Sequence, residues 1–168
     1  EEMATSMRNR GVPSEAIHVV GLPKYDRLAR LNSESPVVVP ENLYIDLQRT
    51  VIVVTSHHYI DRNTKEKMIR CILEVAAEHP NFQFVFKLHP DERDGLVASI
   101  IEEFGLSSTV QVCRDVDVID VLLLASVVAV FGASSCGVEA IALKKPTLII
   151  DFSGRRLQLP YLEDGAAL

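Results

Sequence analysis

The sequence predicts a doubly wound α/β domain built on a mainly parallel sheet. Two observations indicate this class. From Thr50 onward, strand-like runs alternate with segments whose apolar residues recur at helical spacing, and the strand-like runs are apolar throughout instead of alternating with polar residues. Strands of that kind are buried on both faces, as they are when helices cover both sides of a parallel sheet. We therefore expect a Rossmann-like fold.

Five strands and four helices follow from this alternation. The predicted order is strand 51–54, helix 64–78, strand 82–88, helix 92–104, strand 109–113, helix 117–125, strand 127–131, helix 137–143 and strand 147–150. Apolar residues spaced by three and four, from Met68 to Ala76, predict the first helix, which ends before Pro80. Gly105 ends the second. Because doubly wound folds bind ligands outside the carboxyl ends of their strands, the informative loops are 55–61, 88–94, 114–117, 132–137 and 151–156.

Length and composition restrict the function classes. A chain of 168 residues with 48% hydrophobic residues can bury a full domain core. No apolar run reaches the roughly 18 residues of a membrane span, and the first residues lack a secretory signal, so we expect a cytoplasmic protein. The net charge of −6 argues against a nucleic-acid surface. A small anionic ligand stays open.

The first 48 residues have a different character from the rest of the chain. A helical segment precedes any strand, and residues 32–40 have the Ser, Pro and Asn content of a surface connection. We expect residues 1–48 to be the tail of a preceding domain with its connection, and 49–168 to form the α/β domain. The chain is then expected to be a piece of a longer protein.

The turn after strand 127–131 is the strongest candidate site. Ser134, Ser135 and Gly137 open a helix, where backbone N–H groups and the positive helix end attract phosphate. The alternative is that Ser135 is only a helix N-cap. Glu139 lies one turn further on, where a carboxylate can accept hydrogen bonds from ribose hydroxyls; alternatively it is a solvated residue near the helix dipole. Cys136 shares this helix start, where a thiolate would be stabilised, but no histidine neighbours it in sequence.

Basic side chains follow three other strands. His89 comes directly after strand 82–88 beside Lys87, and His57 with His58 follows strand 51–54. We expect His89 and one of the other two histidines to face the ligand, against the alternative of ordinary surface histidines. Arg155 follows the last strand, where a guanidinium could reach a diphosphate or simply be solvated. No set of histidines and acids has local chelating spacing, so the sequence predicts no metal site.

Six short motifs, at successive predicted strand ends and in the opening segment, carry a resemblance to a known superfamily. They are GLPKYD at 21–26, TSH at 55–57, KLHP at 87–90, DVLL at 120–123, SSCGVEA at 134–140 and KPTL at 145–148. In order and placement they resemble the C-terminal half of GT-B-fold nucleotide-sugar enzymes. Within that superfamily the chain is most similar to UDP-N-acetylglucosamine 2-epimerases and to cell-surface polymer transferases that include CDP-glycerol glycerophosphotransferases.

The resemblance implies roles for particular residues. Ser134, Ser135 and Gly137 would contact the diphosphate of a UDP- or CDP-linked donor, Glu139 its ribose, and His89 a phosphate oxygen. His57 matches the histidine that follows the first strand in the epimerases. No cofactor is implied, because the activated donor is a substrate, and the catalytic base would lie in a missing N-terminal domain.

The motifs also rank the activities that the resemblance implies. Epimerases typically have two adjacent glutamates where this chain has Glu139 and Ala140. The Ser-Ser pair and the single acid fit a transferase better. The resemblance therefore implies half of a glycosyl- or polyol-phosphate transferase of cell-surface polysaccharide or glycoconjugate synthesis, with a peripheral membrane acceptor as an option. The alternatives are an epimerase half and a noncatalytic nucleotide-binding module.

Overall fold

A computed structural model of the chain describes residues 2–20, 25–31, 36–152, 154, 162 and 165–168. The chain divides into two compact units, Glu1–Arg30 and Leu31–Leu168. The first unit contains helix α1 (Glu2–Asn9), a short 3-10 helix (Ser14–Ala16) and helix α2 (Asp26–Arg30). The functional division after residue 48 stays a prediction.

The second unit contains a five-stranded sheet that is parallel throughout. Its strands are β1 (Val51–Thr55), β2 (Gln83–Lys87), β3 (Val110–Cys113), β4 (Val127–Phe131) and β5 (Thr147–Ile150). Their spatial order is β3-β2-β1-β4-β5. The predicted fold class is confirmed, and each strand lies within a residue or two of its predicted range.

Four helices connect the strands: α3 (Arg62–Glu78), α4 (Leu96–Glu103), α5 (Val118–Leu124) and α6 (Ser135–Ala142). Acidic caps start two of them. The Asp61 carboxylate accepts from the Thr64 N–H at 3.0 Å, and the Asp117 carboxylate accepts from the Ile119 N–H at 2.8 Å. Such a cap supplies about 1 kcal/mol by satisfying an amide that has no partner within the helix.

Two apolar cores lie on the two faces of the sheet, because neighbouring strand residues point to opposite sides. Val54 and Phe86 pack on one side with Met68 of α3 and Ile100 of α4. The other core contains buried residues of β1, β2, β4, α5 and α6: Val51, Val53, Val85, Val121, Leu122, Val128, Val130 and Ala140. Helices therefore cover both faces, as the uniformly apolar strands predicted.

Two helix starts differ from prediction in ways that affect the site. The helix expected from Glu92 begins at Leu96, after Gly95 with a φ of 69° in the left-handed region. Residues 92–95 therefore form an irregular loop, and Glu92 is buried in it. The helix expected from Gly137 begins two residues earlier, at Ser135. Among the described residues, no helix is long and apolar enough to cross a bilayer.

Candidate functional site

The strand order places the candidate site between β1 and β4. The chain builds outward from β1 through β2 to β3, and then returns to the other side of β1 to add β4 and β5. Such a reversal separates the loops on either side of it and leaves a crevice at the carboxyl ends of the two central strands. The loops there adjoin, since a Cβ added to Gly132 would lie 3.7 Å from Cδ1 of Ile60. Loops 55–61 and 132–137 therefore border one crevice.

The turn between β4 and α6 is shaped by Gly132 and Ser134. Gly132 has a φ of 62°, which side chains rarely tolerate. Ser134 is the N-cap of α6: its Oγ accepts from the Cys136 N–H at 3.3 Å. The alternative that Ser135 is the N-cap is therefore wrong. The Gly137 N–H also donates to the Ser134 carbonyl at 3.1 Å, so two amides that sequence reasoning offered to a phosphate already have partners.

Glu139 is buried, with 4% of its surface exposed. The interpretation of this residue as a solvated glutamate is therefore wrong. A carboxylate is costly to bury unless it is paired or hydrogen-bonded, so Glu139 is not an ordinary surface residue of α6.

Cys136 is a protonated thiol. Burial raises its pKa more than the hydrogen bond with the Ser134 hydroxyl lowers it, and the nearby charge of Glu139 adds a smaller increase. The expectation of a stabilised thiolate at this helix start is wrong, because desolvation outweighs the helix end. Burial likewise raises the pKa of Cys113 to about 11.

Three imidazoles come together where β1 and β2 end. The ring centroids of His58 and His89 are 3.9 Å apart, and those of His57 and His58 are 5.6 Å apart. The pKa of His57 lies below its ordinary value because burial disfavours the charged ring, and charges on His58 and His89 would lower it further. The structure thus joins the two predicted residues, His57 and His89, through His58.

A buried ion pair beneath the imidazoles was not predicted. The Glu92 carboxylate accepts from Lys65 Nζ at 2.6 Å, from Ser56 Oγ at 2.7 Å and from the His89 N–H at 2.7 Å. Arg114 also donates to the Glu92 carbonyl, at 3.2 Å. These bonds connect the loops that follow β1, β2 and β3, so Glu92 fixes the loop that carries His89.

Lys87 is also used internally. Its buried ammonium donates to the carbonyls of Leu88 at 2.8 Å and Arg114 at 2.6 Å, which satisfies backbone acceptors beyond the ends of β2 and β3. The positive charge that sequence reasoning placed beside His89 is therefore committed to the scaffold. Arg155 and residues 21–24 lie outside the described residues.

One sequence signal could have found the buried pair. Lys65 precedes Met68 by three residues and therefore shares the buried face of α3, where a lysine needs a partner. No comparable signal marks Glu92, because its burial depends on the irregular loop that precedes α4.

The fold and the crevice define a Rossmann-like α/β domain of the kind that forms the C-terminal half of GT-B proteins. The chain belongs to the UDP-N-acetylglucosamine 2-epimerase family, whose sequence model matches residues 1–160. This confirms the resemblance drawn from the six motifs. No curated protein is similar enough in sequence to count as a match.

Solved structures show the same fold. The S. aureus MnaA–UDP co-structure superposes with a TM-score of 0.65 at 16% identity, over 98% of this chain and 43% of that one. A Neisseria meningitidis UDP-GlcNAc 2-epimerase bound to UDP-GlcNAc gives 0.63 at 21% identity, over 89% and 42%. The glycosyltransferase SnogD from Streptomyces nogalater gives 0.52 at 22% identity, over 73% and 31%. This chain thus spans less than half the length of these proteins.

Proposed function

We propose that this chain is the donor-nucleotide-binding half of a GT-B-type enzyme that transfers a glycosyl or polyol-phosphate group in cell-surface polysaccharide or glycoconjugate synthesis. The nucleotide-activated donor, UDP- or CDP-linked, would bind where β1 and β4 diverge. The catalytic base and the acceptor site would lie in the other half, so we expect the chain alone to bind donor without turnover.

Buried Glu139 is the observation that carries the proposal. This carboxylate lies one turn into α6, after a turn of small residues at the reversal of strand order, and it would accept from the two hydroxyls of a ribose. A free phosphate would gain nothing from a negative charge at that position. The arrangement therefore favours a nucleotide over an inorganic anion.

The diphosphate would lie between the α6 end and the imidazoles. Ser135 is exposed at the first position of α6, and His57 and His89 are half-buried on the other side of the crevice. The Cys136 N–H already donates to the Ser134 side chain, so the hydroxyls of Ser134 and Ser135 would be the main hydrogen-bond donors to the diphosphate at this helix start. Hydrogen-bond donors fixed at this position would stabilise charge that develops on a departing diphosphate. Arg155 would add a guanidinium to the same group.

A second candidate is an epimerase half, which the family match over residues 1–160 favours. Both activities require a bound nucleotide, so this domain would have the same role in each. The difference would arise in the other half, where the sugar reacts. Incubating the full-length protein with UDP-N-acetylglucosamine and following C2 inversion by proton NMR separates the two candidates.

Calorimetric titration of the chain with UDP, CDP and GDP tests the proposal. We expect one nucleotide per chain and a loss of more than tenfold in affinity for Glu139→Ala, which corresponds to about 1.4 kcal/mol. Glu102→Ala is the matched control, because Glu102 is an exposed glutamate on α4. Equal affinities of the wild type and Glu139→Ala would remove Glu139 from the site. Binding of donor without turnover by the full-length protein would instead support a noncatalytic module.

A further inference from the structure

Two imidazoles and a carboxylate converge at the loops that follow β1 and β2. His58, His89 and Asp91 each offer one donor atom, and these three atoms lie within 4.8 Å of one another. In a tetrahedral zinc site, bonds of about 2.1 Å place the ligand atoms about 3.4 Å apart. Small side-chain rotations would close that difference. Asp91 is free to make such a rotation, since its side chain is 72% exposed.

The backbone that carries these side chains is already fixed. The Glu92 carboxylate accepts from the His89 N–H at 2.7 Å, which fixes the backbone that carries His89. The Asp91 N–H donates to Nδ1 of His89 at 3.2 Å, and a bound ion would replace this bond, because a neutral imidazole has only one nitrogen with a free lone pair. The backbone bonds that close β1 against β2 keep His58 next to this loop, with its ring centroid 3.9 Å from that of His89. A metal ion would therefore meet ligands whose main chain does not have to be ordered first.

The His58 ring has an unexplained polar atom. Its Nδ1 is buried and has no hydrogen-bond partner among the described residues. A structural histidine would normally be held by such a bond, since leaving a buried polar atom without one costs about 1–3 kcal/mol. A ligand bound by this ring would offset the cost of burying it there.

We propose that His58, His89 and Asp91 bind a single transition-metal ion of the Zn²⁺, Co²⁺ or Ni²⁺ class. Nitrogen donors favour these ions over Mg²⁺ and Ca²⁺, which prefer all-oxygen sites. Three protein ligands leave a fourth position open to water or to an anionic ligand.

The sequence predicts no metal site because no single segment has chelating spacing. The three ligands proposed here come from two loops, which only the fold brings together. The inference does not depend on nucleotide binding.

Titration of the metal-free chain with Zn²⁺ alone, followed by calorimetry, tests the site. We expect one ion per chain, and at least a tenfold loss of affinity in Asp91→Asn and in His58→Ala. Titration with Co²⁺ should produce visible absorption bands in the wild type that both variants lose. Because Asp91 is exposed, its variant keeps the test decisive even if His58→Ala does not fold.

Two controls identify binding elsewhere. Asp115→Asn removes a comparably exposed carboxylate, with 77% of its side chain accessible, outside the proposed set. Cys71→Ser removes a half-buried thiol that could bind the same ions. Both should stay within twofold of the wild type. The proposal is overturned if no ion binds, or if Asp91→Asn and His58→Ala bind Zn²⁺ as tightly as the wild type. A parallel titration with UDP in EDTA reports on the nucleotide site separately.

Discussion

Removing the Glu92 carboxylate should destabilise the fold strongly. In Glu92→Ala the Lys65 ammonium stays buried without its partner, and Ser56 Oγ and the His89 N–H also lose their acceptor. The side chains of Lys65 and Glu92 are only 6% and 5% exposed, so water cannot replace the lost bonds without rearrangement. Removing one partner of such a buried pair costs about 3–5 kcal/mol. For a chain of this size that corresponds to a fall in Tm of about 10 °C.

Urea unfolding followed by far-UV circular dichroism measures this change as a shift of the midpoint at constant slope. Glu103→Ala is the control, because Glu103 pairs with Arg70 at 2.7 Å but is 55% exposed, and such pairs contribute less than about 1 kcal/mol. Lys65→Met combined with Glu92→Gln should cost less than the sum of the two single changes, since the double variant leaves no unpaired charge. The reasoning is refuted if Glu92→Ala costs no more than Glu103→Ala.

Two further predictions concern the start of α6. Ser134→Ala should lose about 1 kcal/mol in urea unfolding through loss of the N-cap, whereas Ser135→Ala should lose clearly less; equal losses would contradict the cap assignment. Cys136 should react slowly with iodoacetamide at pH 8 in the folded chain, because its raised pKa keeps it a thiol, and the rate should increase as pH rises beyond the ordinary thiol range. Mass spectrometry of the alkylated peptides measures this rate. Equal rates in native buffer and in urea would show that burial does not control the pKa.

The strands could be predicted from sequence because each is a short, continuous apolar run. The run from Val127 to Phe131 is a strand with the predicted bounds. The start of α4 was misplaced because an acidic segment after a Pro resembles a first helical turn. Only the tertiary structure shows that Glu92 lies before α4 and pairs with Lys65.

The candidate site was predicted less completely than the fold. The loops at the carboxyl ends could be listed, but the strand order that selects among them follows from pairing between distant segments. His58 joins His89 only because β1 pairs with β2, and neither residue's neighbours in sequence indicate this. The alternative interpretation made Ser135 the N-cap, because two adjacent serines cannot be told apart in a sequence pattern, whereas the extended backbone of Ser134 makes Ser134 the cap.

The position of β4 beside β1 has a consequence for the order of folding. β1, β2 and β3 are successive in the chain and can pair as they leave the ribosome, but the Val51 N–H that Ser126 satisfies waits for a segment 75 residues away. Closing so long a loop is slow. The crevice is therefore expected to form late in folding, when β4 pairs with the edge of β1 that stays exposed in the nascent chain.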